Sequence, residues 1–151
     1  MSSTSLSFEL FDDPPESGRR AVDAGLESHN LSAAPLSDVR SLAAFASTPS
    51  GVVIGGAVGR TWGACCEIQQ LWVAPAHRRS GTATRLLLEF EQRAASRGCR
   101  VFYLTTLSFQ APDFYRRRGY EVLAAISGYP NNIIKYLMHK IVSDDALQRI
   151  P

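Results

Sequence analysis

Leu71-Trp72-Val73-Ala74-Pro75-Ala76-His77-Arg78-Arg79-Ser80-Gly81-Thr82-Ala83-Thr84-Arg85-Leu86-Leu87-Leu88 runs from an apolar strand through a basic, glycine-containing turn into an amphipathic helix. Each piece suits an oxygen-rich anion. Small residues at Gly81 and Ala83 let ligand oxygens reach the main chain. The first amides of the helix have no partner within it, and its dipole favours negative charge. Arg78 adds charge-assisted bonds. The combination marks a site for a phosphorylated ligand, diphosphate above all. The plain alternative is an ordinary strand-to-helix turn with a solvated arginine pair.

Working outward, residues 81–97 place Ala83, Leu86, Leu87, Phe90 and Ala94 on one face of a helix that Gly98 stops. Residues 101–106 are a β-branched and aromatic run, so 64–106 spells strand, crossover helix, strand, which implies two parallel neighbours. Upstream, 39–46 and 52–59 form a hairpin about Thr48-Pro49-Ser50-Gly51, and Trp62-Gly63 turns the chain into 64–73 as the third member of an antiparallel meander. Along 64–73, alternation puts Glu67, Gln69, Leu71 and Val73 on one face and Cys66, Ile68, Gln70 and Trp72 on the other.

Farther out, residues 5–11 alternate as a first strand that ends at Asp12-Asp13-Pro14-Pro15. Residues 16–28 read as a helix, with Val22 and Leu26 four apart, and 29–37 as a loop. Residues 112–118 read as a short helix opened by Pro112 and stopped by Gly119. Two strands, 120–126 and 133–142, follow, and the tail from Ser143 is helical or frayed. The fold class is therefore α/β in the α+β sense: one domain over 1–151, with a mixed, mostly antiparallel twisted sheet of six to seven strands. The sheet is split between 64–73 and 101–106, and helices flank it.

Composition sets bounds on partners. With 16 basic and 14 acidic residues the net charge of +2 predicts no nucleic-acid binder from the overall field. Basic residues cluster instead at His77-Arg78-Arg79, Arg97 to Arg100 and Arg116-Arg117-Arg118, the last run being a solvated helix face or a docking strip. The first fifteen residues lack a secretory signal, and the longest apolar stretch, 51–59, is too short to span a bilayer, so a cytoplasmic, non-membrane protein is expected. Cys65, Cys66 and Cys99 have neither disulfide nor metal-ligand spacing and read as reduced, small apolar residues; no metal is required.

Arg78-x-x-Gly81-x-Ala83 resembles motif A of the GCN5-related N-acetyltransferases, and Ala111-Pro112-Asp113-Phe114-Tyr115-Arg116-Arg117-Arg118-Gly119-Tyr120 resembles their motif B. Two motifs at this separation are far more specific than one. The resemblance covers about residues 52–142 and implies acetyl-coenzyme A as co-substrate, residues 52–142 as the cofactor-binding core and 1–50 as the acceptor side. It implies cofactor contacts from Leu71, Trp72, Val73, Arg78, Arg79, Ser80, Gly81, Thr82, Ala83, Thr84, Ser108, Ala111 and Tyr115. An amide near Val73 is expected to polarise the thioester carbonyl. Tyr115 is expected to protonate the leaving thiolate, unperturbed phenol and thiol lying near pKa values of about 10 and about 8.5. An asparagine common seven residues before that tyrosine is Ser108 here, with Gln110 as a substitute. A homodimer is also implied.

Transfer to an amine needs a base, because an alkylamine with a pKa near about 10 is mostly protonated at neutral pH. Glu67, within the strand before the turn, is the candidate; the alternative is an exposed edge glutamate. His77 lies too near the diphosphate to serve, and His29 and His139 are isolated. Trp62, Trp72, Tyr129 and Tyr136 are candidates to line an acceptor pocket, or simply core. The expected reaction is acetyl transfer to a primary amine of a small molecule or peptide. A non-catalytic acyl-coenzyme A sensor and a modifier of tRNA or ribosomal protein are the competing readings.

Overall fold

A computed structural model describes residues 5–34 and 36–143, so the tail expected to be helical or frayed lies outside the described residues except for Ser143. The chain divides into two compact units, Met1–Leu36 and Ser37–Pro151.

In the first unit, helix α1 spans Glu16–Ala33. Glu16 complements the dipole in the first turn and pairs with Arg20 one turn on, at 3.2 Å. The helix runs past Ser28 through residues expected to loop, because neither glycine nor proline interrupts 29–33. It stops at Ala34, which is extended, as the residue before a proline must be. Residues 5–11 are not a strand, and Leu6, Phe8 and Leu10 are exposed. Alternation gives a segment two faces, but a strand exists only where a neighbour takes up its main-chain groups.

The second unit carries a six-stranded sheet: β1 (Arg40–Ser47), β2 (Val53–Trp62), β3 (Cys65–Val73), β4 (Val101–Leu107), β5 (Glu121–Ile126) and β6 (Lys135–Ile141). Their order is β1-β2-β3-β4-β6-β5, and every neighbouring pair is antiparallel except β3 and β4. Helix α2 (Thr82–Ser96) is the crossover between those two, and α3 (Pro112–Arg116) follows β4. The expected meander, crossover and mixed sheet are all present.

The amphipathic stripe of α2 makes the core. Leu86, Leu87, Phe90 and Ala94 pack with Leu42, Ala57, Cys66 and Ile68 of β1, β2 and β3. Each large side chain so buried contributes about 1.5–3 kcal/mol. Cys66 and Cys99 are buried and free, and burial pushes the Cys66 thiol up to about 12, so it serves as a small apolar residue. On the same helix Glu91 is buried, bonded to the Lys140 ammonium of β6 and to the Tyr120 hydroxyl at 3.2 Å. That cluster pins α2 to the far half of the sheet.

One irregularity positions the site. On β2, Gly59 pairs with Ile68 while Val58 pairs with Gln70, so Gln69 is an extra residue in β3. A bulge of this kind bends its strand and reverses the side-chain alternation beyond it. The faces expected from strict alternation are therefore corrected: Cys66 and Ile68 share the α2 face with Leu71 and Val73, while Glu67 shares the opposite face with Gln70 and Trp72. Burial agrees, since Cys66, Ile68 and Val73 are buried and Trp72 is half exposed. The bulge follows directly on the last β3–β4 pair. Cys65, Cys66 and Glu67 are matched with Val101, Phe102 and Tyr103, and beyond them the strands part. β4 keeps its pairing with β6 along its whole length.

Candidate active site

A cleft of about 890 Å³ opens where β3 leaves β4. Leu71, Val73, Arg78 and Ala83 line it on the side of α2, Ala111 and Tyr115 line it from α3 and the turn before it, and Trp72, Gly56 and Phe45 line it on the opposite sheet face. The part of β3 beyond Glu67 has lost its β4 neighbour, so its main chain borders open space.

The turn between β3 and α2 is held in a fixed shape. The Ala74 amide donates to the Ile54 carbonyl at 2.7 Å, and a short 3₁₀ turn spans Pro75–His77. Arg78 Nε donates to the Val73 carbonyl at 2.8 Å, which folds the guanidinium back toward the strand end. Arg79 and Gly81 both have positive φ, 61° and 81°, a conformation glycine adopts at no steric cost. Ser80 Oγ donates to the His77 carbonyl at 2.7 Å and lies 2.9 Å from the Thr82 hydroxyl. No side chain caps the start of α2. Among the described residues no side chain bonds the first amides of α2, which stand beside Arg78 and Arg79 and suit an anion.

Tyr115 is 7% exposed and lines the cleft. Its ring meets Phe114 and Tyr120 edge to face, at 5.3 and 5.7 Å between centroids. Burial alone pushes its hydroxyl up to about 12, so it holds its proton throughout the neutral range. The matching of phenol to thiol expected from unperturbed values does not apply as such.

The other expected site residues are distributed unevenly. Ser108 is exposed, its hydroxyl accepting from the amide of Ile134, the residue before β6, at 3.1 Å, and it does not line the cleft. Gln110 does line it, and its carbonyl oxygen accepts from the Leu107 amide at 2.8 Å, capping the end of β4. Glu67 stands at the point where the strands part but outside the cleft lining; Arg60 Nε donates to it at 2.9 Å and the Tyr103 hydroxyl at 3.5 Å. Thr84 is engaged by Arg118. Of the aromatics singled out in the sequence, Trp72 borders the cleft, while Trp62, Tyr129 and Tyr136 do not.

Several residues of the cleft carry no local signal in the sequence. Phe45 reaches the cleft because β1 and β2 align it with Gly56 and Trp72 across three strands, a register that no local pattern encodes. Phe109 sits in the turn after β4. Arg118, read as part of a solvated run, lies over the Phe114 ring at 4.2 Å and ties α3 to the start of α2 through Thr84. No helix in the described residues is long and apolar enough to cross a membrane, and no cluster of metal-ligating side chains occurs among them.

The model of the acetyltransferase (GNAT) family matches residues 8–120. Blasticidin-S acetyltransferase of Streptomyces morookaense is 36% identical over 110 residues, which cover 70% of this chain and 81% of that protein. An acetyltransferase of Agrobacterium fabrum is 31% identical over 121 residues, covering 80% and 88%. A crystal structure of an Agrobacterium tumefaciens protein described as an acetyltransferase superposes with a TM-score of 0.79 at 27% identity, covering 90% of this chain and 99% of that one. A Bacillus anthracis structure described as a streptothricin acetyltransferase, in complex with acetyl coenzyme A, shares the fold at a TM-score of 0.59 and 18% identity, covering 68% and 63%.

Proposed function

Because the chain belongs to the GNAT family of acetyltransferases, we propose that it transfers acetyl from acetyl-coenzyme A to a primary amine of a small molecule or peptide, by direct attack within a ternary complex. The enzyme is an acetyltransferase, and acetyl-coenzyme A is the donor its family uses. The observation that carries the reading further is the parting of β3 from β4 beside an uncapped helix start. In support of the reading, β3 has a main-chain edge without its β4 partner, suited to an extended amide-bearing arm, and the uncapped helix start is suited to a diphosphate.

In this reading Arg78, Arg79, Ser80, Gly81, Thr82, Ala83 and Thr84 receive the diphosphate. Leu71, Trp72 and Val73 offer main-chain groups to the arm, and an amide near Val73 stabilises the carbonyl oxygen as charge develops on it. Ala111 and Tyr115 close the sulfur end, and Gln110 takes the place first given to Ser108. The amine nitrogen bonds to the acetyl carbon, the carbon–sulfur bond breaks, and the thiolate takes the proton offered by Tyr115. The amine's own proton leaves through water toward Glu67, since none of the described residues lining the cleft is a carboxylate.

A small-molecule acceptor is favoured by the name of the Streptomyces relative. The reading extends to a homodimer, for which the exposed edge strand β5, with Val122, Leu123 and Ile126 in solvent, is an available surface. The experiment is thiol release from acetyl-coenzyme A across a panel of amines. Release above the hydrolysis blank, with an acetylated product by mass, supports the transferase. Binding of the donor with no product from any amine favours an acyl-coenzyme A sensor.

A further inference from the structure

Three large aromatic side chains border the cleft yet remain mostly in solvent: Phe45 at 63% exposure, Trp72 at 52% and Phe109 at 65%. Exposed apolar rings gathered at one opening are the mark of a binding surface rather than of a core. Two of them are set by register. Phe45 pairs with Gly56 and Gly56 with Trp72, so the three stand in one row across β1, β2 and β3, on the face away from α2. The missing side chain in the middle of the row has a purpose. A Cβ on Gly56 would stand 2.8 Å from Phe45 Cδ1 and 3.2 Å from Cε1, so the Phe45 ring leans over the glycine. The result is a shelf of ring, bare backbone and indole. Phe109 borders the same cleft from the turn after β4.

The polar groups of the cleft narrow the ligand chemistry. Gln69 and Gln70 supply neutral amides beside the shelf, and Arg78 is the sole charged residue among the described lining residues. A polycationic acceptor finds no carboxylate counter-charge among the described lining residues. A flat ring carrying nitrogen or oxygen atoms finds π-faces to stack on and amides that both donate and accept.

Resting on the transferase reading above, we infer that Phe45, Trp72 and Phe109 form the acceptor subsite, and that the acceptor carries its amine on a flat aromatic or heteroaromatic body. A polyamine or an aminoglycoside is the wrong shape and charge. The donor occupies the α2 side of the cleft and the acceptor the opposite face, so the two meet where β3 and β4 part.

The test compares benzylamine with cyclohexylmethylamine, and tryptamine with spermidine and kanamycin, under saturating acetyl-coenzyme A. The expected result is a kcat/KM, referred to the concentration of unprotonated amine because benzylamine is the weaker base, higher for the flat member of each comparison by about tenfold, the size of one stacking contact. Trp72→Ala and Phe45→Leu should bring the aromatic-to-aliphatic ratio down toward one, mainly through KM. Gly56→Ala, which displaces the Phe45 ring while leaving both aromatics in the chain, should lower the ratio as well. Preference for spermidine or kanamycin, or a ratio that survives Trp72→Ala, overturns the inference. If donor binds but none of these amines is acetylated, the transferase reading fails for them and binding decides the subsite. Saturable quenching of tryptophan fluorescence by a heteroaromatic amine without indole emission, such as 2-(aminomethyl)pyridine, supports it when Trp72→Phe abolishes the quench. No quench in the parent protein overturns it.

Discussion

Gly59 lies beneath the Glu67 carbonyl so closely that a Cβ at position 59 would fall far inside van der Waals contact with that oxygen, and would also reach Phe90 Cζ at 3.0 Å. The bulge at Gln69 brings the β3 main chain down onto β2 at this point, so the absence of a side chain is a condition of the split sheet. Gly59→Ala should therefore destabilise the fold by about 2–3 kcal/mol, as overpacking does, and lower turnover with it. Gly51→Ala is the control. Gly51 has a φ of 88° but no atom near its Cβ position, so only a conformational cost of about 1–2 kcal/mol applies. Urea midpoints of the two variants distinguish the cases; equal losses would mean that contact with β3 is not what position 59 must avoid.

Much of the site is legible in the chain because its signals are local. Gly81 and Gly98 bound the crossover helix, Pro112 and Gly119 bound the short one, and the apolar stripe from Ala83 to Ala94 fixes the face that is buried. What escapes is non-local. The Gln69 bulge shows only in the pairing of β3 with β2, so strict alternation put Leu71 and Val73 on the wrong face. Phe45 is far from the motif in sequence and reaches the cleft by strand register alone. Residues 5–11 alternate without gaining a strand partner, which shows that periodicity reports faces and not neighbours.

Glu67→Gln tests the proton acceptor. Arg60 and Tyr103 both bond to this carboxylate, which stands outside the cleft lining. The expected loss in kcat/KM for the amine is about tenfold at neutral pH, below the range of a directly placed base. The variant should recover as pH rises toward the amine's pKa of about 10, where free amine no longer needs a base. A profile parallel to the parent's at every pH would reduce Glu67 to an ion-pair partner of Arg60.

Arg78→Ala removes both the bond to the Val73 carbonyl and a charge beside the uncapped start of α2. Affinity for coenzyme A measured by calorimetry should fall about tenfold, the equivalent of one charge-assisted contact. Affinity for the phosphate-free pantetheine arm should fall much less. Gly81→Val adds strain at a φ of 81° in the same turn and should weaken coenzyme A in the same way without unfolding the protein. Unchanged affinity in both variants would remove the diphosphate from this turn.

The pair formed by Glu91 and Lys140 is mostly buried, with side-chain exposures of 11% and 17%. Lys140 also lies 4.9 Å from the centre of the Tyr120 ring and donates to the Arg118 carbonyl at 3.2 Å. Lys140→Met alone leaves a buried carboxylate without its counter-charge and should cost about 3–5 kcal/mol. The double variant Glu91→Gln, Lys140→Met keeps an acceptor for the Tyr120 hydroxyl and removes the stranded charge, so its urea midpoint should lie closer to the parent's. A double variant no better than Lys140→Met would place the value of the pair in packing instead of charge.

Tyr115→Phe separates chemistry from packing, because the phenyl ring keeps the edge-to-face contacts with Phe114 and Tyr120. If the hydroxyl serves the leaving thiolate, kcat should fall by about 100-fold with far less change in acetyl-coenzyme A affinity. The same hydroxyl has a signature in stability. Burial raises it from 10 to about 12, so the folded state keeps a proton that the unfolded chain loses. The stability it confers is complete below pH 10 and is lost as pH climbs to about 12, a total of roughly 2–3 kcal/mol. Tyr120, raised in the same direction by burial and by the Glu91 carboxylate, adds to the alkaline loss and is present in both proteins. The Phe variant should therefore lose stability less steeply than the parent between pH 10 and 12. A parent-like kcat would make Tyr115 a packing residue, and identical alkaline slopes would show that its hydroxyl reaches water.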